Sequence, residues 1–236
     1  VPAGTQEMKV NFDWRCVGEG TISDYFRVWV VPQNYTPSVG TQIAVGTNRI
    51  RLGSAQFNGR DTFKSEEIIF DATAYAGQNV RLVFEWRQDN TGGNQPPVAI
   101  DNLKVEAKSC VAPTNFRVIE TRGTTAKVAW TRVPRQNKFE IYYSTVNTPP
   151  GETVTGSIIT IQNPYTITGL TERTTYYVWI RTVCGENNRS FWRPLTINTG
   201  QIPADMPFNE DFEGGGNWDF QSPALNKWVV GTAVNN

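Results

Sequence analysis

Histidine is absent from this chain of 236 residues. Catalysis by a histidine base and metal binding by imidazole are therefore excluded. A net charge is also missing, because 22 basic residues balance 22 acidic ones. Nucleic acids and anionic membranes attract a basic surplus, so we expect neither as a partner. No apolar run is long enough to span a bilayer, and no signal peptide is visible after Val1. We therefore expect no membrane insertion.

The residues that are abundant favour strands. The chain has 8 Trp, 8 Tyr and 12 Phe residues, and 20 Gly and 14 Pro residues punctuate it at short intervals. Aromatic and β-branched residues prefer strands, whereas frequent glycine and proline provide the turns between them. No segment of credible length has helical periodicity. The sequence therefore predicts an all-β protein.

Only three cysteines are present, at positions 16, 110 and 184. Cys110 opens the middle part of the chain and Cys184 lies near its end, so a bond between them would join an early strand to a late one. Such a disulfide implies an oxidising, extracytoplasmic compartment. The alternative is two free buried thiols. Cys16 alternates with Phe12 and Trp14, which predicts a small buried thiol facing the core.

The first part of the chain resembles a known domain family. It contains, in order, the segments NFDWRCVGEG, DYFRVWVVP, DATAYAGQNVRLVFEWRQDN and PPVAIDNLKVEAKSC. These segments resemble the later two-thirds of a MAM-like jelly roll of the cleaved-adhesin or choice-of-anchor type. Such domains belong to bacterial surface proteins exported by the type IX secretion route. The resemblance implies that residues 1–109 are the carboxy-terminal part of a jelly-roll sandwich.

Residues 110–200 resemble a complete fibronectin type III sandwich. CVAPTNFRVIETRGTTAKVAWTRV supplies its first two strands, with Trp130 as the buried tryptophan, and FEIYYST supplies the next. In TITGLTERTTYYVWIRTVCG, the resemblance implies that Leu170 plugs the core and that Tyr176 is the corner tyrosine. The loop at 185–190 has no Arg-Gly-Asp, so an integrin ligand is not indicated. The default role of such a domain is a spacer.

Residues 201–236 contain a linker followed by PFNEDFEGGGNWDFQ and NKWVVGTAVNN. These segments resemble the amino-terminal opening of a second jelly roll, which the first part lacks. The chain therefore reads as a slice of a repeat of jelly roll and fibronectin module. Incomplete sandwiches have unpaired strand edges, so self-association is a further expectation. The sequence leaves open whether the tail completes its own chain, another chain, or neither.

The jelly-roll resemblance also implies a metal site. In such domains the first and last strands lie side by side, so Asp101 on the closing strand and Asp211 or Glu213 on the opening strand would share a structural calcium ion. Calcium prefers carboxylate and carbonyl oxygens. The alternative is a solvated acidic turn beside an aspartate that caps its own loop.

Aromatic residues suggest one ligand-binding surface. Tyr25, Arg27 and Trp29 alternate along one strand and share a face with Val31, a mixture that is consistent with an outward strip for a sugar or protein. The alternative is ordinary sandwich packing, because large aromatic residues dominate β cores.

These observations favour a non-catalytic, secreted or cell-surface adhesin fragment that binds an extracellular protein or glycan. Glu66 and Glu67 are adjacent on a strand and face opposite sides, so they cannot form an acid–base pair. One alternative is a structural repeat of a surface filament or sheath that assembles by strand exchange between half-domains. Another is the accessory region of a secreted hydrolase.

Overall fold

The computed structural model describes residues 1–18, 23–89, 91 and 98–202. Within these ranges the regular structure consists of strands and one three-residue 3-10 helix at Thr73–Tyr75, so the all-β prediction is confirmed. The strands are β1 (Glu7–Cys16), β2 (Tyr25–Pro32), β3 (Ile50–Phe57), β4 (Arg60–Asp71), β5 (Val80–Arg87), β6 (Ala99–Lys108), β7 (Thr114–Thr121), β8 (Thr125–Thr131), β9 (Phe139–Ser144), β10 (Ile158–Thr160), β11 (Tyr165–Thr168), β12 (Thr175–Thr182) and β13 (Arg193–Asn198). No helix in the described part has the length and apolarity to cross a membrane.

The chain divides into two compact units. The first unit comprises Val1–Ala112 together with residues 133–138 and 181–191, and the second comprises Pro113–Arg132, Phe139–Ile180 and the residues from Trp192 onward.

The first unit is built from two three-stranded antiparallel sheets, in the orders β4-β1-β6 and β3-β2-β5. Strict alternation along β1 turns Val10, Phe12, Trp14 and Cys16 towards the core, as the sequence pattern predicts. The inward residues of β2 and β3 belong to the same core cluster. The two sheets therefore enclose one hydrophobic core.

Aromatic rings fill the centre of this core. Phe12 meets Phe57 and Phe84 edge-on at centroid distances of 6.0 and 5.5 Å. Phe26 stacks on Phe57 at 4.8 Å. Edge-to-face and offset rings at these separations are the preferred geometry for aromatic pairs. The aromatic content of the strands thus accounts for the packing between the sheets.

The second unit is also a two-layer sandwich. Its sheets have the orders β11-β8-β7 and β10-β9-β12-β13, and their inner faces form one core cluster. Trp130 is buried in this core and meets Phe139 edge-on at 5.1 Å. Leu170 is buried, and the Tyr176 hydroxyl accepts a hydrogen bond of 3.0 Å from the Thr171 amide. The expected core plug and corner tyrosine are therefore confirmed.

The predicted pairing of Cys110 with Cys184 is also confirmed. Their Cα atoms lie 5.9 Å apart, and the bond closes a loop with a sequence separation of 74. Cys16 is the free cysteine, and it is completely buried as predicted. Burial disfavours the thiolate and raises the pKa of Cys16 to about 11, with a further contribution from the nearby Asp24.

Candidate binding surfaces

The residues of the predicted ligand-binding strip lie side by side on β2, on the face opposite the core. Tyr25, Arg27 and Trp29 are paired across to β5 with Arg87, Glu85 and Val83, respectively. The Arg27 guanidinium lies 4.8 Å from the centre of the Tyr25 ring, and it donates a hydrogen bond to the Tyr25 hydroxyl. The three residues are thus brought together as expected. Their exposure, however, differs from the expectation.

Tyr25 and Trp29 are only 2% and 1% exposed, so neither ring presents a face to solvent. The loop between β2 and β3 covers Trp29, because Ile43 packs into a small cluster with it. Glu85 fixes this cover by accepting hydrogen bonds from the Trp29 indole, at 2.9 Å, and from the Ile43 amide. The Tyr25 ring is instead contacted by the guanidinium groups of Arg27 and Arg87. The expectation of an outward strip is therefore corrected: alternation identified the face of β2 opposite the core, but Tyr25 and Trp29 on that face are buried.

A polar cluster occupies the outer face of the other sheet. Asp13 on β1 accepts hydrogen bonds from the Asn102 side chain at 2.6 Å and from the Ser65 hydroxyl at 2.5 Å. These bonds lower the pKa of Asp13, with Asn102 as the larger cause. The two bonds favour the ionised carboxylate. They also join β1 to both of its neighbours, since Ser65 lies on β4 and Asn102 on β6. Sequence reasoning missed this cluster, because the residues are 52 and 89 positions apart.

Asp101, the first residue of the predicted calcium site, lies on β6 opposite Asp13. It is exposed, and its carboxylate accepts a 2.7 Å hydrogen bond from the Asn102 amide. The other predicted ligands, Asp211 and Glu213, lie outside the described residues. Among the residues that the structure describes, no three acidic or cysteine side chains group closely enough to hold a metal. Asp101 therefore supplies one exposed carboxylate, and calcium binding stays a prediction.

The second unit has an aromatic cluster on the outer face of its four-stranded sheet. Trp179 on β12 lies between two half-buried tyrosines, with ring centroids 6.0 Å from Tyr142 and 6.4 Å from Tyr177. Trp179 itself is 3% exposed. Because Tyr176 and Val178 on the same strand face the core, alternation places Tyr177 and Trp179 outside. We call Tyr142, Tyr177 and Trp179 the aromatic face.

On one side of the first unit, two strands each pair with a single neighbour among the residues that the structure describes. Within the described residues, β6 pairs only with β1, and β5 pairs only with β2. Val105 on β6 is opposite the buried Val10 and so faces the core side, yet it is 47% exposed. The apolar residues of β5 that pack against the core are likewise only partly buried: Val80, Leu82, Phe84 and Trp86. We call this side, formed by β5 and β6, the open edge.

The geometry of the second unit defines an all-β sandwich module with a buried tryptophan and a corner tyrosine. This module is a fibronectin type III domain, because residues 111–198 match the family of that description. Such domains are common in adhesion or binding proteins and are typically non-catalytic.

Two solved structures illustrate the similarity. The fn3 domain of the human collagen alpha-1(XX) chain is 14% identical, covers 41% of this chain and 90% of its own, and has a TM-score of 0.34. The FN5 domain of Drosophila Lar is 13% identical, covers 39% of this chain and 98% of its own, and has a TM-score of 0.30. The comparison with curated proteins gave no match.

Proposed function

We propose that this chain is part of a non-catalytic adhesin, acting outside the cell or on its outer surface and binding an extracellular protein or glycan. The observation that carries the proposal is the fibronectin type III domain at residues 111–198, since this module is common in adhesion and binding proteins, as a spacer or as the binding domain itself. The fold supplies a β scaffold on which binding residues can be held.

The disulfide supports an extracytoplasmic location. Cys110 and Cys184 are bonded, and bonds of this kind persist in oxidising compartments and are rare in the cytosol. Together with the fibronectin domain, it is consistent with an extracellular protein. We further propose that the first unit is a MAM-like jelly roll of a surface protein exported by the type IX route. Its two-sheet packing is compatible with that proposal.

We propose the aromatic face as the contact surface for the partner. Tyrosine and tryptophan supply large, stiff, amphipathic areas that are enriched at binding interfaces. Tyr142 and Tyr177 are half-buried, so each retains exposed ring surface while Trp179 holds it in place. By contrast, Trp29 lies beneath a loop that would have to move before Trp29 could touch a ligand, and Tyr25 is buried beside Arg27 and Arg87.

The test is binding of the purified chain to an array of extracellular-matrix proteins and glycans. We expect saturable binding to at least one class of protein or glycan. The double variant Tyr142→Ser, Tyr177→Ser should lower the binding affinity at least about tenfold, because it removes two aromatic contacts. Each single variant is measured too, and circular dichroism and thermal unfolding verify that the variants are folded.

The matched control is Ile119→Ser, which removes a half-exposed apolar side chain from β7, in the opposite sheet. Binding that survives in this control but fails in the tyrosine variants supports the aromatic face. Binding that all variants retain equally would overturn the aromatic face as the contact surface. A chain that binds no class on the array above a serum-albumin reference would overturn the adhesin proposal itself.

A further inference from the structure

We propose that the first unit binds an acidic polysaccharide on the outer face of the sheet β3-β2-β5, through Arg49, Arg51 and Arg81. We call these three residues the arginine patch. The inference goes beyond the proposed function, because it adds a second binding surface and states the chemical class of its ligand. The arginine patch and the aromatic face share no residue, so the two proposals stand or fall separately.

This face of the sheet carries an excess of positive charge in a chain whose net charge is zero. Residues directly opposite each other on neighbouring strands point to the same side of a sheet. Opposite the outward residues of β2 lie Arg51 on β3 and Arg81, Glu85 and Arg87 on β5. Arg27 lies between them on β2 itself. Four arginines therefore share the face with one glutamate.

The arginine patch has no acidic partner among the residues that the structure describes. Arg51 and Arg81 are exposed, and Arg49 is half-buried. Glu85, the one carboxylate on the paired positions of this face, already accepts two hydrogen bonds and lies 3.9 Å from Arg27. The positive charge of the patch is therefore free to attract an anion from solution.

The outer face of the other sheet differs in this respect. There Lys9 lies 3.4 Å from both Glu67 and Glu106. Lys104 lies 3.2 Å from Glu106 as well. Basic and acidic side chains thus compensate one another on that sheet. The charge imbalance is a property of the face formed by β3, β2 and β5.

The loop between β2 and β3 holds two of the three arginines in place. The Arg49 guanidinium lies 5.3 Å from the centre of the Tyr35 ring, and Arg81 donates a hydrogen bond of 3.2 Å to the Tyr35 carbonyl. Gly46 makes room for Arg49, since a Cβ at Gly46 would lie 2.7 Å from Nη2 of Arg49. Side chains that are fixed before binding lose less conformational entropy when a ligand binds.

The spacing within the patch suits a ligand with repeated anionic groups. Arg51 is opposite Trp29 and Arg81 is opposite Val31, on the two strands that flank β2. From the ordinary strand spacing and rise, their Cα atoms lie about 12 Å apart. One small anion would contact only one of these two side chains. A polymer with an anionic group on successive units can contact both, and Arg49 beside them.

The surroundings of the patch favour a sugar polymer. Residues 33–48 of the loop include no acidic residue, and their polar side chains are amides and hydroxyls, which can hydrogen-bond to sugar hydroxyl groups. Ordered loops of such length without strands or helices of their own usually have a function such as binding. The planar fork of arginine binds carboxylates and similar oxyanions with two parallel hydrogen bonds. A nucleic acid would call for a basic surplus over the whole chain, which is absent.

The experiment measures binding of the full chain to three polysaccharides by isothermal titration calorimetry. Hyaluronan carries carboxylates, dextran sulfate carries sulfates, and dextran is neutral. We expect saturable binding to at least one of the two acidic polymers and none to dextran, and the affinity should fall as salt is added. The variant Arg49→Ser, Arg51→Ser, Arg81→Ser should lower the affinity at least about tenfold, because it removes three ionic contacts.

A second set of variants separates arginine geometry from charge. Replacing the same three residues by lysine keeps the charge but removes the planar fork, so this variant should also bind more weakly than the parent chain. The matched control is Lys104→Ser, Arg117→Ser, Arg122→Ser, which removes the same charge from exposed positions outside the patch and should bind like the parent. Circular dichroism and thermal unfolding verify that each variant is folded.

The outcomes that would overturn the proposal are distinct. They are an absence of binding to both acidic polymers, equal binding by the parent chain and the serine variant of the patch, and an equal loss of binding in the control variant. Tighter binding of duplex DNA or of a polyglutamate peptide than of either polymer would refute the ligand class. If the triple serine variant does not fold, the variant Arg51→Ser, Arg81→Ser, which leaves the turn at Arg49 intact, decides in its place.

Discussion

Removal of the Cys110–Cys184 disulfide should destabilise the fibronectin domain severely. The bond closes a loop of sequence separation 74 that contains strands β7 to β12. In the loop-entropy relation, a closure of this size contributes about 4.5 kcal/mol, mainly by restricting the unfolded chain. Native disulfides in small domains generally contribute about 2–5 kcal/mol, so we expect a loss in that range for the variant Cys110→Ala, Cys184→Ala.

The assay must report on the fibronectin domain alone, because a bulk signal mixes the transitions of two compact units. Hydrogen exchange of amides in β8 and β9, followed by mass spectrometry, reports the free energy of opening for that domain. A loss of about 4 kcal/mol corresponds to an increase of nearly a thousandfold in the opening equilibrium.

Two comparisons isolate the effect of the bond. Treating the parent chain with a reductant should reproduce the loss, whereas the same treatment of the double variant should change nothing. Cys16 is present and buried in both proteins, so it does not contribute to the difference. A loss below about 1 kcal/mol would refute the argument, since it would mean that the unfolded chain is already restricted without the bond.

Four further outcomes are expected. Leu170→Ala should destabilise the fibronectin domain by about 2–5 kcal/mol in denaturant unfolding, because it leaves a cavity in a closed core; an unchanged midpoint would contradict its burial. Tyr176→Phe should cost about 1 kcal/mol in the same assay, since it removes the acceptor of the Thr171 amide; a neutral result would show that the bond is dispensable. Cys16 has a folded pKa raised to about 11 from 9.0, so its contribution to stability is complete below pH 9.0 and is lost as the pH rises through about 11. Thermal unfolding across this range should show a larger loss of stability in the parent chain than in Cys16→Ala, which retains the contribution of other groups with a raised pKa such as the buried Tyr75. If Asp101, Asp211 and Glu213 share a calcium ion as predicted, calcium should raise the melting temperature and Asp101→Asn should abolish that shift. A shift that is retained in Asp101→Asn would mean that the ion binds elsewhere.

The fibronectin domain was predictable because short segments carry its resemblance to the family. Trp130, Leu170 and Tyr176 occupy positions where a short segment already determines the turn, the inward face and the hydrogen-bond partner. The disulfide was predictable for a related reason, because the positions of Cys110 and Cys184 in the sandwich follow from the strand order. Alternation likewise predicted the buried face of β1.

The candidate surfaces were less predictable, because they depend on contacts between distant segments. Alternation placed Trp29 on the outer face of β2, but it gave no sign that Ile43 and Glu85 would close a loop over it. Ile43 shares its loop with Val39 and Val45, which are exposed, so the sequence does not show which of these residues packs on Trp29. The half-exposed Val105 is similar: its inward direction can be read from the pattern, whereas its exposure, with β1 as the one partner of β6 among the described residues, cannot.

The central claim is the proposal that this chain acts by adhesion through the aromatic face of its fibronectin domain. The most direct measurement is the force needed to detach beads that display the chain from a surface coated with matrix protein or glycan. The account predicts firm attachment for the parent chain and for Ile119→Ser, and weak attachment for the double variant Tyr142→Ser, Tyr177→Ser. Equal detachment forces for beads with and without the chain would contradict it.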